Sequence, residues 1–168
     1  MIKWNYFPRN KRIDKKFQDI ISVFNNHANM IDSSLHKLTS NDVLKILSQD
    51  LEILGYQVER GKKKDEVIRV PVLFGENGTE RVSYEVDAFH PNEKTVIEVE
   101  AGRAVTNYQF LKDFFECCMM SDVDYLCIAV RNIYLKSNDF KKVSDFFDSF
   151  YTSNRISIPL KGVLIIGY

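Results

Sequence analysis

The sequence predicts one α/β domain, a mixed central sheet flanked by helices. Three observations predict it. Hydrophobic spacing switches from the helical period to the strand period of two and back again along the chain. The run Asp124 to Val130 (DYLCIAV) is almost continuously apolar, as in a strand covered on both faces and reached by a crossover helix. No repeat, low-complexity tract or Pro/Gly/Ser-rich linker interrupts residues 1–168, so no boundary divides them.

In chain order, Ile13, Phe17, Ile20, Ile21 and Phe24 recur at helical spacing, and residues 25–38 then lose any period, which together gives an N-terminal helical arm over residues 1–38. A helix capped near Thr39-Ser40 carries Val43, Leu44, Leu47, Leu51 and Leu54 on one face and stops at Gly55. The period then becomes two. Tyr56 to Glu59 and Val67 to Phe74 read as strand, broken by the polar run Arg60 to Asp65, with Pro71 marking an edge or a bulge. Turns at Gly75-Glu76-Asn77-Gly78 and His90-Pro91-Asn92 separate two further strands, Arg81 to Phe89 and Thr95 to Ala101. Thr106 and Gln109 have capping-box spacing ahead of a helix carrying Phe110, Leu111, Phe114, Phe115 and Cys118. Residues 40–130 thus read as αβββαβ. A helix from Asn138 and a strand Val163 to Ile166 complete residues 131–168, expected at the far edge of the sheet.

The charges exclude a chain that binds nucleic acid by bulk attraction, because 23 basic and 23 acidic residues cancel. Any basic surface must be local. Three cysteines, Cys117, Cys118 and Cys127, are an odd number without zinc spacing, and no stretch has the length of a signal peptide or membrane helix, so the expected location is the cytoplasm.

Chemistry is concentrated on two strands. Alternation places Val96, Glu98 and Glu100 on one face of their strand, and Ser83, Glu85 and Asp87 on one face of the preceding strand. Pairing through the His90–Lys94 turn brings Asp87 beside Glu98, at a cross-strand spacing of roughly 5 Å. Like charges that close repel unless a cation joins them. Two carboxylates, a backbone carbonyl and a phosphate oxygen suit Mg2+, with Mn2+ a possible substitute, so the pattern points to phosphodiester hydrolysis. Arg103, directly after the acid strand, is the first candidate for contacting a DNA phosphate, and the basic run Arg60, Lys62, Lys63 and Lys64 is the second. His90, before a proline in a turn, reads as a surface residue.

Val86-Asp87, ten residues, then Glu98-Val99-Glu100, set in an αβββαβ order, resembles the PD-(D/E)XK restriction-endonuclease-like superfamily. Two positions depart from the motif: Val86 replaces proline, and Glu100 replaces lysine in the manner of BamHI/BglII-type restriction endonucleases. The resemblance implies a Mg2+-dependent endodeoxyribonuclease of restriction or defence type. Asp87, Glu98 and the carbonyl of Val99 would be metal ligands, and Glu100 would orient or deprotonate the attacking water or bind a second ion. It also implies an acid on the first core helix, for which Asp42, Asp50 and Glu52 are available and Glu52, flanking the leucine face, is the expectation. DNA is the implied partner, with a homodimer and a methyltransferase partner as further possibilities. The alternative is a nuclease fold without activity that binds nucleic acid or protein.

Overall fold

The computed structural model describes residues 1–168. In chain order it contains β1 (Lys3–Phe7), α1 (Lys15–Asn26), the single turn α2 (Ala28–Ile31), α3 (Ser40–Ile53), β2 (Gln57–Val58), β3 (Ile68–Phe74), β4 (Glu80–Val86), β5 (Ala88–His90), β6 (Thr95–Glu100), α4 (Gln109–Met119), β7 (Tyr125–Val130), α5 (Asp139–Ser153) and β8 (Gly162–Gly167). Six strands form one mixed sheet in the order β1-β8-β7-β6-β5-β2, while β3 and β4 pair only with each other. The strands β6, β7 and β8 are parallel, and antiparallel pairs close both ends of the sheet.

Alternation along the parallel strands divides the core in two. Ile97, Val99, Cys127, Ala129, Leu164 and Ile166 meet α1 and α3 on one side. Val96, Leu126, Ile128, Val130, Val163 and Ile165 meet α4 and α5 on the other. Helices on both faces explain why β7 and β8 are apolar at nearly every position. The second layer is aromatic: Phe147 is fully buried and its ring stands 5.2 Å from those of both Phe114 and Phe146. Burying each such ring contributes roughly 2–3 kcal/mol.

Local signals hold where they are short-ranged. Thr39 and Asp42 form a complete capping box for α3, and Val43, Leu44, Leu47 and Leu51 are its buried stripe. Gly55 ends the helix at φ +98°, where an added Cβ would stand 2.8 Å from the His90 ring. Asn138 accepts the backbone N–H of Lys141 and starts α5. Beside Pro71 the β3–β4 ladder shifts register, the bulge that the proline suggests.

Five expectations are corrected. The stretch before α1 contains β1, paired with β8 from Lys3↔Gly167 to Phe7↔Val163, so β8 is an inner strand and not the far edge. Of Tyr56 to Glu59, only Gln57–Val58 pairs in the sheet. The strand from Val67 leaves the sheet and forms a hairpin with β4, so α3-β2-β5-β6-α4-β7 realises the αβββαβ order with that hairpin inserted. The expected strand Arg81 to Phe89 breaks at Asp87, and its alternation reverses there: Val86 packs on the α4–α5 side and Ala88 on the α3 side. Finally, Thr106 and Gln109 make no capping box, because α4 begins only at Gln109, after Tyr108 in left-handed conformation. No helix is long and apolar enough to cross a membrane.

Candidate active site

The break at Asp87 builds the site. Ala88 pairs with Ile97 and Phe89 with Val96, so the next step of the same register sets Asp87 opposite Glu98. Asp87 uses its side chain as a sheet partner: Oδ2 accepts the Val99 N–H at 2.7 Å, and its carbonyl accepts the Glu59 N–H at 2.8 Å. These bonds tie the ends of β2, β5 and β6 together around three half-buried acids, Asp87, Glu98 and Glu100.

Two further carboxylates complete the cluster. Glu59 follows β2, is buried, and accepts Lys62 Nζ at 2.6 Å. Asp113 lies on α4 between Phe110 and Phe114 and is 5% exposed. Its Oδ1 accepts Gln109 Nε2 at 3.0 Å, while its Oδ2 is buried without a donor. Glu100 and Asp113 are close enough for each carboxyl to act on the other's titration.

Crowding of acids in a dry place has a definite electrostatic signature. Burial pushes Asp87 up to about 6; the Val99 N–H opposes this, and Glu59 and Asp113 add to it. Glu98 is raised well above the usual carboxylate range, first by burial and then by Asp87, Asp113 and Glu100. Burial and Asp113 push Glu100 up to about 8, and burial pushes Asp113 up to about 6. Two lysines lie near, and each is engaged: Lys62 with Glu59, and Lys112 with Glu116 at 3.1 Å. Charge of the opposite sign is what such a cluster lacks.

The donor set is oxygen-only, which suits a hard divalent ion, and the buried Asp113 Oδ2 is an oxygen in need of a positive partner. As arranged here, no three acidic, histidine or cysteine side chains converge on one point. Two carboxylates with water and phosphate oxygens is the composition in which Mg2+ is commonly held.

Of these acids, Glu100 lines a cleft of about 1160 Å³, whose wall also includes Gln109, Lys37, Lys62, Arg103 and Arg131. Arg103 is exposed and makes no ion pair, and Glu85, a possible partner, is held by Arg69 at 3.0 Å. Lys62 reaches both the cluster and the cleft. The rest of its run points elsewhere: Arg60 pairs with Glu52 at 2.7 Å, Lys63 pairs with Glu66 at 3.7 Å, and Lys64 is exposed.

No acid of α3 joins the cluster. Asp42 caps its own helix, Asp50 stands 3.0 Å from His27, and Glu52 is exposed on Arg60. Glu59, seven residues after Glu52, is the acid that the β2 side supplies. His90 is structural: its Nε2 donates to the Leu54 carbonyl and its Nδ1 accepts the Glu93 N–H. Sequence reasoning missed Glu59, Asp113, Lys37 and Arg131. Asp113 had a signal, because it interrupts the buried stripe Phe110, Phe114, Cys117 at helical spacing.

No protein-family model and no curated protein matches the chain. Among solved structures it is similar to the restriction endonuclease BglII in its free form, with a TM-score of 0.52 and 11% identity, covering 99% of this chain and 78% of that one. The fold is restriction-endonuclease-like. Within it, the ends of β5 and β6 carry the acids, and the loops beyond them carry the basic cleft. In this chain the acids at that end of the sheet concentrate negative charge beside a cleft lined by Lys37, Lys62, Arg103 and Arg131, although the net charge is zero.

Proposed function

We propose that the chain is a Mg2+-dependent endodeoxyribonuclease of restriction or defence type, with Mn2+ able to replace Mg2+. One observation carries the reading: mutually repelling carboxylates gather at the strand break at Asp87, and one of them, Glu100, lines a cleft walled by Lys37, Lys62, Arg103 and Arg131. In this reading Asp87, Glu98 and the Val99 carbonyl hold the metal, which when bound lowers the pKa of water and offsets charge developing on the phosphate. Glu100 orients or deprotonates the attacking water or binds a second ion. Arg103 and Lys62 hold the DNA backbone, and as fixed positive charges they position the phosphate without reading sequence. Two copies acting as a homodimer would cut both strands of a duplex, and a methyltransferase partner would protect host sites.

The test is cleavage of supercoiled plasmid with Mg2+ against EDTA, with circular dichroism verifying the fold. Asp87→Asn and Glu98→Gln are expected to abolish Mg2+-dependent cleavage, and undiminished cleavage by these variants refutes the proposal. A second reading, an inactive fold that binds DNA, is favoured by Glu100 at the lysine position. Wild-type protein that retains DNA in the cleft and never cuts it would select that reading.

A further inference from the structure

Two carboxylates meet side by side only with positive charge between them. That situation exists on the helix wall of the site. Asp113 leaves α4 on its buried face and is 5% exposed. Gln109 Nε2 fixes Oδ1 at 3.0 Å, and Oδ2 is left buried without a donor. The helix packs against β6, whose Glu100 carboxyl, itself an acceptor, lines the same cleft as Gln109 and acts on Asp113. The neighbouring Lys112 does not answer this need, because its Nζ stands on Glu116 at 3.1 Å.

A single proton shared by the pair would satisfy one lone pair and remove one charge. Three further acids, Glu59, Asp87 and Glu98, add to the same excess, against two lysines already bonded to Glu59 and Glu116. Glu100 and Gln109 both line the open cleft, so a hydrated ion has a polar entry to this point.

We propose that Asp113 is a ligand of the metal centre, its Oδ2 and the Glu100 carboxylate holding a divalent cation between α4 and β6. The inference rests on the metal-dependent reading above and extends it to a residue on a helix outside the acid-X-acid motif. It also gives Gln109 a role as a positioning residue, because its amide fixes the rotamer of Asp113.

Isothermal titration of Mn2+ into wild-type protein, Asp113→Asn, Glu100→Gln and the double variant tests it, alongside thermal unfolding in EDTA and in Mn2+. Asp113→Asn keeps an acceptor for Gln109, so its melting temperature in EDTA should equal or exceed that of wild type. Its Mn2+ affinity should fall tenfold or more, and its stabilisation by Mn2+ should shrink with it. Because both side chains serve one ion, the double variant should bind little worse than either single one. Asp113→Asn binding Mn2+ within twofold of wild type overturns the inference and leaves the pair a proton-sharing contact, while the metal reading stands. No Mn2+ binding by wild type at millimolar concentration overturns both. Anomalous scattering from wild-type crystals soaked in Mn2+ requires no variant: an ion at about 2–2.5 Å from Asp113 Oδ2 supports the assignment, and an ion bound without Asp113 overturns it.

Discussion

Replacing Asp87 with asparagine should make the metal-free protein more stable at neutral pH. The folded protein pushes Asp87 up to about 6, against 3.8 for an unperturbed aspartate, so the folded state holds this proton more tightly than the unfolded chain does. The stability that the proton represents is therefore full below about pH 4 and is lost as pH rises through 6. Moving a carboxyl that far costs about 3 kcal/mol once it is ionised, at 1.36 kcal/mol per pH unit. Asparagine resembles the protonated form: Oδ1 can still accept the Val99 N–H that Asp87 Oδ2 accepts at 2.7 Å, and no charge is buried. In EDTA at pH 7.5 the variant should gain about 2–3 kcal/mol, a rise in melting temperature of roughly 5–10 °C for a chain of this size. At pH 4 the difference should nearly vanish. Urea denaturation at both pH values measures it. A variant less stable than wild type at pH 7.5, or one with the same difference at both pH values, refutes the claim that burial and repulsion of this carboxylate strain the apo site. With saturating Mn2+ the order should invert, because only wild type gains RT ln(1 + [L]/Kd) from the ion.

Arg103→Ala should weaken DNA binding across all sequences and lower the slope of log affinity against log salt by about one unit, whereas Lys64→Ala should leave both unchanged; fluorescence anisotropy over a salt series reads this. Phe147→Ala removes a fully buried ring from the aromatic layer and should cost about 3–5 kcal/mol in denaturant titration. Gly102→Ala places a Cβ 2.4 Å from the Tyr134 ring at φ +116°, so it should destabilise by about 1–3 kcal/mol and displace Tyr134 from the cleft wall, visible as altered DNA affinity.

What was legible in the sequence was what is encoded locally. The capping box at Thr39, the leucine stripe of α3, the apolar run of β7 and the alternation of Glu98 with Glu100 each depend on residues within a few positions of one another. The β1 strand was not legible, because its only reason to be a strand is β8, some 160 residues away through Lys3↔Gly167. Asp87 was found by spacing, but the reversal of alternation at that residue was not. The reversal arises because the Asp87 side chain accepts a sheet N–H, which no period in the sequence records. Glu52 and Glu59 are both acids near the first core helix, and their fates part through partners: exposed Arg60 draws Glu52 outward, while the Glu59 backbone is pinned to the Asp87 carbonyl at 2.8 Å. Lys37 and Arg131 come from loops 93 residues or more apart in sequence, since Arg131 is anchored on the Leu38 carbonyl, so their basic wall is purely tertiary.

Glutamate at position 100 changes the balance of the whole centre. A lysine there would place a positive charge beside Asp87 and Glu98 and lower their tendency to hold protons. Glu100 instead adds to the repulsion and shares its need with Asp113, so Asp87, Glu98, Glu100 and Asp113 are all displaced in the same direction. The two lysines near it, Lys62 on Glu59 and Lys112 on Glu116, are already engaged and cannot neutralise four acids. A centre of this composition is least stable when deprotonated and empty, so its affinity for a divalent ion should climb steeply between about pH 6 and 8, as protons leave and the ion takes their place. Mn2+ titrations at pH 6 and pH 8 measure that climb. An affinity that does not change over the interval would mean that protons and metal do not compete for these carboxylates.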